Sequence, residues 1–138
     1  MKLFHLAFPV DDLERTRDFY VNGLGCSVGR EAETWIDFDL FGHQISAHLR
    51  HGTVTDSDKN EVDGDSVPIP HFGCILDLES WHSLKEKLVA YGVEFEIGPR
   101  IRFAGQPGEQ ATMFLRDPSG HALEFKAFAD IRQVFETD

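Results

Sequence analysis

The sequence predicts an α+β fold in which two β-α-β-β-β modules form a cupped mixed sheet with the helices outside. The order of strand, helix and further strands occurs twice along the 138 residues. The opening strand of each half carries a histidine at the same place, His5 and His71. A glycine–histidine pair also introduces a late strand in each half, at 42–43 and 120–121. Two such coincidences in the same order favour an internal repeat over chance.

The two modules are predicted to make one domain, because 138 residues are enough for a single hydrophobic core. The first module spans 1–50 and the second spans 69–128. The segment 51–68 is polar and holds almost no large apolar side chain, which indicates a linker or an exposed loop. The residues 129–138 are predicted to be a weak helix or a tail.

The first module begins with a strand at 2–10. Asp11 and Glu14 have the spacing of a capping box, which predicts a helix that the glycines of 22–26 end. In 33–50, apolar and polar side chains alternate on both sides of a central glycine. This alternation is typical of a β-hairpin.

The second module follows the same order of elements. Trp81, Leu84 and Leu88 recur on one side of a predicted helix, and Gly92 is placed to end it. The segment 98–109 is rich in glycine and proline, which predicts a loop. The strands of this module are predicted at 69–77, 93–97, 110–116 and 121–127.

The composition excludes some classes of function. The 24 acidic and 13 basic residues give a net charge of −11, which argues against binding to nucleic acid. No apolar run approaches the ~20 residues that span a bilayer, and the N-terminus lacks the pattern of a signal peptide. Cys26 and Cys74 show neither disulfide nor metal spacing. A reducing, cytoplasmic location with no membrane partner is therefore expected.

Three side chains predict a metal site. Side chains alternate between the two faces of a strand. His5 and His71 each share one face with a small residue, and the opposite face of each strand carries bulky apolar side chains. Glu124 likewise lies opposite Leu123 and Phe125 in its strand. Two imidazoles and one carboxylate on the inner face of a curved sheet form a facial triad, which suits Fe(II), Mn(II), Ni(II) or Zn(II).

The sequence resembles the vicinal oxygen chelate superfamily over roughly residues 2–128. The stretches "VDDLERTRDFYVNGLG" at 10–25 and "DPSGHALEF" at 117–125 carry the resemblance, together with the two early-strand histidines. This superfamily includes glyoxalase I, type I extradiol dioxygenases, fosfomycin-resistance thiol transferases and bleomycin-resistance proteins. The resemblance implies that His5, His71 and Glu124 are the metal ligands. It also implies a homodimer, in which one site can draw on two chains.

One departure from the superfamily narrows the predicted reaction. Glyoxalase I usually has a fourth ligand, a glutamate, at the position that the repeat assigns to Ser46. A serine is a poor ligand, so the site is closer to the three-ligand pattern of extradiol dioxygenases and fosfomycin-resistance enzymes. The leading prediction is an extradiol-type dioxygenase that uses Fe(II) or Mn(II) to cleave a small aromatic diol. His48, on the same strand face as Ser46, is the candidate general acid–base.

Two alternatives remain open at this point. A glyoxalase-like lyase or isomerase would use Ni(II) or Zn(II), and a metal-free protein of the bleomycin-resistance type would bind a cationic drug, which the acidic composition favours. Arg100 and Arg102 could grip a substrate carboxylate, but solvated charges on a loop are the favoured interpretation. Gln110 and Thr112 are candidates for hydrogen bonds to the metal ligands.

Overall fold

The computed structural model describes residues 1–52, 58–62 and 65–137. Along the chain its strands and helices are β1 (His5–Val10), α1 (Leu13–Asp18), a π-helical segment (Phe19–Gly23), β2 (Ser27–Ala32), β3 (Trp35–Leu40), β4 (His43–Leu49), β5 (Asp58–Val62), β6 (Asp65–Ile69), β7 (His71–Leu76), α2 (Leu78–Tyr91), β8 (Phe95–Arg102), β9 (Gln110–Arg116), β10 (Ala122–Phe128) and a 3-10 helix (Ile131–Phe135).

The strands form two four-stranded mixed sheets with the same pairing scheme. One sheet has the order β1-β4-β3-β2 and the other has the order β7-β10-β9-β8. In each, the opening strand pairs parallel with the last strand of its module, and the remaining pairs are antiparallel. The predicted α+β class and the repeated β-α-β-β-β order are confirmed.

The chain divides into two compact units. Unit 1 comprises Met1–Asp56 together with Asp117–His121, and unit 2 comprises Ser57–Arg116 together with Ala122–Asp138. Each unit contains one of the four-stranded sheets. The longest described helix, α2, has 14 residues. Within the described ranges, no helix has the length and apolar character needed to cross a membrane.

The strand register confirms the alignment of the two halves. In unit 1, Ala7 of β1 pairs with Ser46 of β4. In unit 2, Gly73 of β7 pairs with Glu124 of β10. Each pairing lies two residues after the histidine that opens its strand. Ser46 therefore occupies in unit 1 the position that Glu124 occupies in unit 2, as the glycine–histidine pairs predicted.

The start of α1 corrects one prediction from the sequence. The N-cap is Asp12, whose extended backbone (φ −154°) lets its side chain accept a hydrogen bond from the Arg15 amide. Asp11, which the capping-box spacing had suggested, is bonded instead to Ser119, through both its amide and its carboxylate. A carboxylate engaged elsewhere cannot cap the helix, so the cap falls one residue later.

The segment 51–68, predicted as a linker or loop, contains β5 and most of β6, which pair as an antiparallel two-stranded sheet. Its pairing uses backbone hydrogen bonds, so a polar sequence does not prevent it. Residues 53–57, 63 and 64 of that prediction lie outside the described residues. The predicted tail at 129–138 contains the short 3-10 helix.

β8 also extends further than its sequence predicts. The glycine- and proline-rich loop was expected to begin at 98, yet the strand continues to Arg102. The register of its pairing with β9 shifts between Phe95 and Ile97 and again between Ile97 and Arg100. Regular pairing then continues from Arg100 to Arg102. Such bulges allow Gly98 and Pro99 inside a strand, because the ladder does not need their backbone groups there.

A buried tyrosine–aspartate pair anchors the 117–121 turn within unit 1. The Tyr20 hydroxyl, on a fully buried side chain, donates a 2.8 Å hydrogen bond to Asp117 Oδ2. Asp117 Oδ1 accepts from the backbone amides of Ser119 and His121. The His121 ring packs edge-on against Phe8, with ring centroids 5.2 Å apart. Burial raises the pKa of the Asp117 carboxyl, against the opposing effect of these hydrogen bonds.

We expect Tyr20→Phe to destabilise the protein by about 1–3 kcal/mol, because a buried carboxyl loses a hydrogen-bond donor. The pKa of Asp117 in the folded protein is above its unfolded value. The Asp117 carboxyl therefore contributes favourably to the free energy of unfolding at low pH, and this contribution is lost as the pH rises through the folded-state pKa. Removal of the hydroxyl raises this pKa further. Urea denaturation should therefore show that Tyr20→Phe lowers the unfolding free energy more at neutral pH than near pH 4. An equal decrease at both pH values would contradict this explanation.

Unit 2 buries one face of β10 and leaves the other for chemistry. Leu123 and Phe125 are fully buried, and the Trp81 indole of α2 donates a 2.9 Å hydrogen bond to the Phe125 carbonyl. α2 begins at the cap Asp77 and ends at Gly92, whose φ of 95° is the left-handed conformation that glycine adopts without strain. The predicted end at Gly92 is confirmed. Because side chains alternate along a strand, the intervening residues of β10 point to the opposite face.

Candidate metal centre

Two of the three predicted ligands meet at the junction of β7 and β10 in unit 2. The Nε2 atom of His71 lies 3.2 Å from Oε1 of Glu124. Their side chains are 25% and 15% exposed, so both atoms are sheltered yet reachable from solvent. The parallel pairing of the two strands places the residues side by side on one face of the sheet. Rigid backbone, and not a flexible loop, therefore sets their separation.

A second contact orients each of these two side chains. Nδ1 of His71 lies 2.7 Å from the Pro68 carbonyl oxygen, which can only accept, so Nδ1 carries the ring proton. The Thr112 hydroxyl donates a 2.6 Å hydrogen bond to Oε2 of Glu124. Phe114 packs edge-on against the imidazole, with ring centroids 5.2 Å apart. Partners of this kind fix the orientation of metal ligands in proteins.

This tautomer makes the pair a site for a cation. With one proton on Nδ1, Nε2 of His71 either directs a lone pair at the Glu124 carboxylate or carries a second proton, which the carboxylate accepts in a hydrogen bond. Two acceptors 3.2 Å apart repel each other unless a proton or a metal ion lies between them. Two ligands bound to one metal at about 2.1 Å each, at a right angle, would be about 3.0 Å apart. The observed separation and the donor types thus fit a divalent ion.

Gly73 permits the close approach of the two strands. A Cβ atom at this position would lie 1.6 Å from the carbonyl oxygen of Glu124 and 2.7 Å from its carbonyl carbon. Real Cβ atoms essentially never approach heavy atoms closer than 3.0 Å. Any other residue would push β7 away from β10, and with it His71 away from Glu124.

The third predicted ligand, His5, lies in unit 1 and belongs to a polar chain of its own. Nδ1 of His5 is 2.8 Å from Oε1 of Gln44. The amide nitrogen of Gln44 is 3.4 Å from Asp37 Oδ2, and the Ser46 hydroxyl donates to Asp37 Oδ1 at 2.6 Å. Because the Gln44 amide nitrogen faces Asp37, the Gln44 oxygen faces His5 and accepts a hydrogen bond from the protonated Nδ1 of the ring. His5 therefore has the same tautomer as His71, with the Nε2 lone pair available to a metal ion.

Among the residues that the structure describes, no group of three or more His, Cys, Asp or Glu side chains is close enough to hold a metal ion. The structure brings His71 and Glu124 together and places His5 in the other unit. His48 also lies in unit 1, where its ring is 6.5 Å from that of Trp35. The assignment of His5 as third ligand and of His48 as general acid–base stays a prediction.

His71 and Glu124 open onto a cavity of about 290 Å³ within unit 2. Three cationic side chains line it: Arg100, Arg102 and Lys126. The two arginines were expected to be solvated charges on a loop, but β8 extends to Arg102, so both lie in a strand and line the cavity. The remaining lining residues are Val62, Val67, Gln110, Ala111, Thr112, Phe114 and Phe128.

Sequence reasoning missed two side chains near these sites, and a signal in the sequence was present for only one of them. Lys126 lies two residues after Glu124 in one strand, so alternation alone puts both on one face. Asp37 alternates with Ile36 and Phe38, a pattern that suggests a solvent-facing charge. Only the register, which pairs Asp37 with Ser46, places its carboxylate in the His5 chain. Thr112, a candidate together with Gln110 for a hydrogen bond to a metal ligand, donates its hydroxyl hydrogen bond to Glu124.

A thiol nucleophile is disfavoured at this site. Cys74 follows Gly73 in β7, so its side chain leaves the face that carries His71. Burial raises the pKa of the Cys74 thiol to about 11, which keeps it protonated at neutral pH. Cys26 is buried, and neither cysteine forms a disulfide.

Comparison with known proteins agrees with this architecture. The sequence matches the model of the Glyoxalase/Bleomycin resistance protein/Dioxygenase superfamily over residues 2–125. A glyoxalase/bleomycin resistance protein/dioxygenase from Alicyclobacillus acidocaldarius has a similar structure (TM-score 0.75) and 33% sequence identity, over 97% of this chain and 96% of that one.

Two less similar solved structures share the fold alone. FosX, a fosfomycin resistance protein from Listeria monocytogenes, is 20% identical with a TM-score of 0.70, over 96% of this chain and 97% of that one. An integron cassette protein from the mobile metagenome of the Halifax Harbour sewage outfall is 24% identical with a TM-score of 0.67, over 92% and 98%. With a family match over nearly its whole length, the chain belongs to the Glyoxalase/Bleomycin resistance protein/Dioxygenase superfamily.

Proposed function

We propose that this protein is a metal-dependent enzyme of the vicinal oxygen chelate type, with His71, Glu124 and His5 as its metal ligands. The observation that carries the proposal is the 3.2 Å approach of His71 Nε2 to Glu124 Oε1, because two ligands of one divalent ion at a right angle would have nearly this separation. Each of the three side chains is held by a neighbour that leaves its metal-binding atom available. Protein sites that bind divalent metals show the same support around their ligands.

The favoured reaction is extradiol cleavage of a small aromatic diol. When bound, Fe(II) or Mn(II) would supply a Lewis acid for two adjacent substrate oxygens and a centre for O₂ activation. Ser46 supports a three-ligand site, because its hydroxyl is committed to Asp37 at 2.6 Å. Phe114 offers an aromatic surface beside His71 for a substrate ring. His48 is proposed to accept a proton from a diol hydroxyl.

Metal analysis of the purified protein tests the proposal. We expect about one divalent ion for each chain after reconstitution with Fe(II) or Mn(II), and oxygen uptake with members of a catechol panel. Less than a tenth of an ion for each chain under every condition would overturn the metal assignment. Stoichiometric metal without oxygen uptake, but with activity toward a thiol hemithioacetal, would instead favour a lyase or isomerase with Ni(II) or Zn(II).

A complementation experiment tests whether two chains share one site in the proposed homodimer. His5→Ala and Glu124→Ala variants should each be inactive alone. If a site takes His5 from one chain and Glu124 from another, random subunit exchange after mixing should restore about a quarter of the wild-type sites, because half the dimers are mixed and each has one intact site. If one chain supplies all three ligands, the mixture should remain inactive.

The cavity charges speak against a metal-free protein that binds a cationic drug. Among the described residues, three cationic side chains and one carboxylate line the cavity, and this lining does not favour a cationic ligand.

A further inference from the structure

We propose that Asp37 is a positioning residue for the metal site. Acting through Gln44, it keeps the ring proton of His5 on Nδ1 and thereby keeps the Nε2 lone pair available to a metal ion. The inference rests on the proposed function, because the position of this proton matters to the site only if His5 is a ligand. It gives a role to a carboxylate whose described hydrogen bonds go to Gln44 and Ser46.

The two units place a carboxylate at different distances from the strand that bears the histidine. In unit 2 the carboxylate belongs to Glu124 of β10, and its Oε1 lies 3.2 Å from His71 Nε2. In unit 1 the equivalent position on β4 is Ser46, and the carboxylate belongs to Asp37 of β3, which pairs with Ser46. The carboxylate of unit 1 is therefore one strand further from its histidine.

A hydroxyl from the neighbouring strand holds each of these carboxylates. Thr112 of β9 donates to Glu124 at 2.6 Å, and Ser46 of β4 donates to Asp37 at 2.6 Å. Ser46 is only 5% exposed, so its hydroxyl has little access to water and depends on Asp37 as an acceptor. The donor and the carboxylate have exchanged strands between the units, but Asp37 is held in the same manner as the proposed ligand.

Gln44 spans the gap between Asp37 and His5. It pairs with His5 in the parallel ladder, at the position that Ala122 occupies beside His71. Its amide nitrogen lies 3.4 Å from Asp37 Oδ2, and its Oε1 lies 2.8 Å from His5 Nδ1. An alanine could not make this connection, because its side chain has neither a donor nor an acceptor. The longer side chain thus links the distant carboxylate to the histidine of unit 1.

The charge of Asp37 selects the orientation of the Gln44 amide. Gln44 is exposed, so water alone would satisfy its amide in either orientation. A hydrogen bond of 3.4 Å is weak, but a flipped amide would replace it with two facing acceptors, and both effects favour the observed orientation. A flipped amide would also direct an N–H group at His5 Nδ1. Nδ1 would then have to accept, and the ring proton would move to Nε2, the atom proposed to bind metal.

The position of the His5 ring proton in the metal-free protein tests this inference without metal chemistry. Long-range proton–nitrogen NMR correlation spectra distinguish the two tautomers, and His5→Gln identifies the His5 signals by their loss. At a pH where the ring is neutral, we expect the proton on Nδ1 in the wild type. We expect a measurable Nε2-protonated fraction in Asp37→Ala and in Gln44→Met, because neither variant holds the amide in place.

Two results of this experiment would overturn the inference. One is a wild-type ring protonated on Nε2, and the other is a wild-type tautomer in both variants. Asp37→Ala leaves the buried Ser46 hydroxyl without its acceptor and could prevent folding. Gln44→Met changes only an exposed side chain and leaves the bond between Ser46 and Asp37 intact, so it provides the test in that case.

Titration with Mn(II) provides a second readout. Asp37→Ala and Gln44→Met should each weaken Mn(II) binding by about tenfold or more, as is typical when a histidine ligand loses its partner. Asp39→Asn is the matched control, because it removes one charge from the same face of β3 and keeps an acceptor for the Gly42 amide. It should leave the affinity within about twofold, since salt screens an exposed charge. An equal loss in Asp39→Asn would overturn the inference.

A compensating substitution separates positioning from structural support. The double variant Asp37→Ala with Gln44→Glu keeps the net charge of the wild type and moves the carboxylate next to His5, where it can only accept from Nδ1. We expect it to recover the Nδ1 tautomer and a Mn(II) affinity within about threefold of the wild type. A double variant that binds Mn(II) as weakly as Asp37→Ala would show that Asp37 only supports the structure, and would overturn the inference.

The two readouts distinguish failure of this inference from failure of the proposed function. Stoichiometric metal binding that neither Asp37→Ala nor Gln44→Met weakens would reject the role of Asp37 and leave the proposed function intact. The expected tautomers in a protein that binds no metal would support the effect of Asp37 on His5 and reject the proposed function alone.

Discussion

Glu124→Gln is expected to lower divalent metal affinity by at least about 100-fold and to reduce activity below detection. The amide keeps the size and shape of the side chain. Its oxygen can still accept the hydrogen bond from the Thr112 hydroxyl, which is 2.6 Å long in the wild type. It loses the negative charge that balances the metal ion. Calorimetric titration of the metal-free protein with Mn(II) measures the loss directly.

The same substitution should change stability little without metal. A proton between His71 Nε2 and Glu124 makes the metal-free pair an ion pair, which the amide replaces with a hydrogen bond to the ring, so urea denaturation should give an unfolding free energy within about 1 kcal/mol of that of the wild type. Glu86→Gln, on the exposed side of α2, is the matched control and should leave metal affinity unchanged. Retained Mn(II) affinity in Glu124→Gln would show that Glu124 is not a ligand.

Gly73→Ala is expected to destabilise the protein by about 3 kcal/mol or more and to weaken metal binding with it. The added methyl group would meet the Glu124 carbonyl oxygen at 1.6 Å, and the obstacle is backbone, which cannot rotate aside. β7 must therefore separate from β10, which moves His71 from its partner. Urea denaturation and Mn(II) titration of the same samples measure both effects.

Gly98→Ala provides the control for this prediction. Gly98 also lies in a strand of unit 2, but a Cβ there would meet nothing within 4 Å. We expect Gly98→Ala to change the unfolding free energy of the protein by less than about 0.5 kcal/mol. If Gly73→Ala were equally neutral, the strands would have to approach each other less closely than the structure shows, and the 3.2 Å ligand separation would lose its structural basis.

Local alternation and the internal repeat predicted the framework of the site. The faces of β7 and β10 follow from the two-residue period of a strand, so the sequence alone assigns His71 and Glu124 to the face opposite the bulky apolar side chains. The repeated glycine–histidine pairs gave the correspondence of Ser46 with Glu124, and the register confirms it. These features depend on residues close together in the chain.

The cavity wall could not be predicted in the same way. Arg100 and Arg102 follow a bulged stretch of β8, and a bulge breaks the two-residue period that assigns side chains to faces. The hydrogen-bond partners of the ligands come from other segments, such as Thr112 for Glu124. Asp37 enters the His5 chain only through the pairing of β3 with β4. Such contacts depend on register between strands, which a single sequence does not display.

The alternation along β10 has a consequence for how the protein can change over evolution. Leu123 and Phe125 fill the core, whereas Lys126 and Phe128, on the other face, only border the cavity. Mutations on the cavity face can therefore alter which molecules enter without disturbing what holds the sheet together. Along β10, the residues that stabilise the fold therefore alternate with the residues that contact the cavity. A new substrate preference requires substitutions only at the cavity-facing positions. This separation offers a route by which a single stable scaffold can diversify, and the same positions are the first choice for directed evolution.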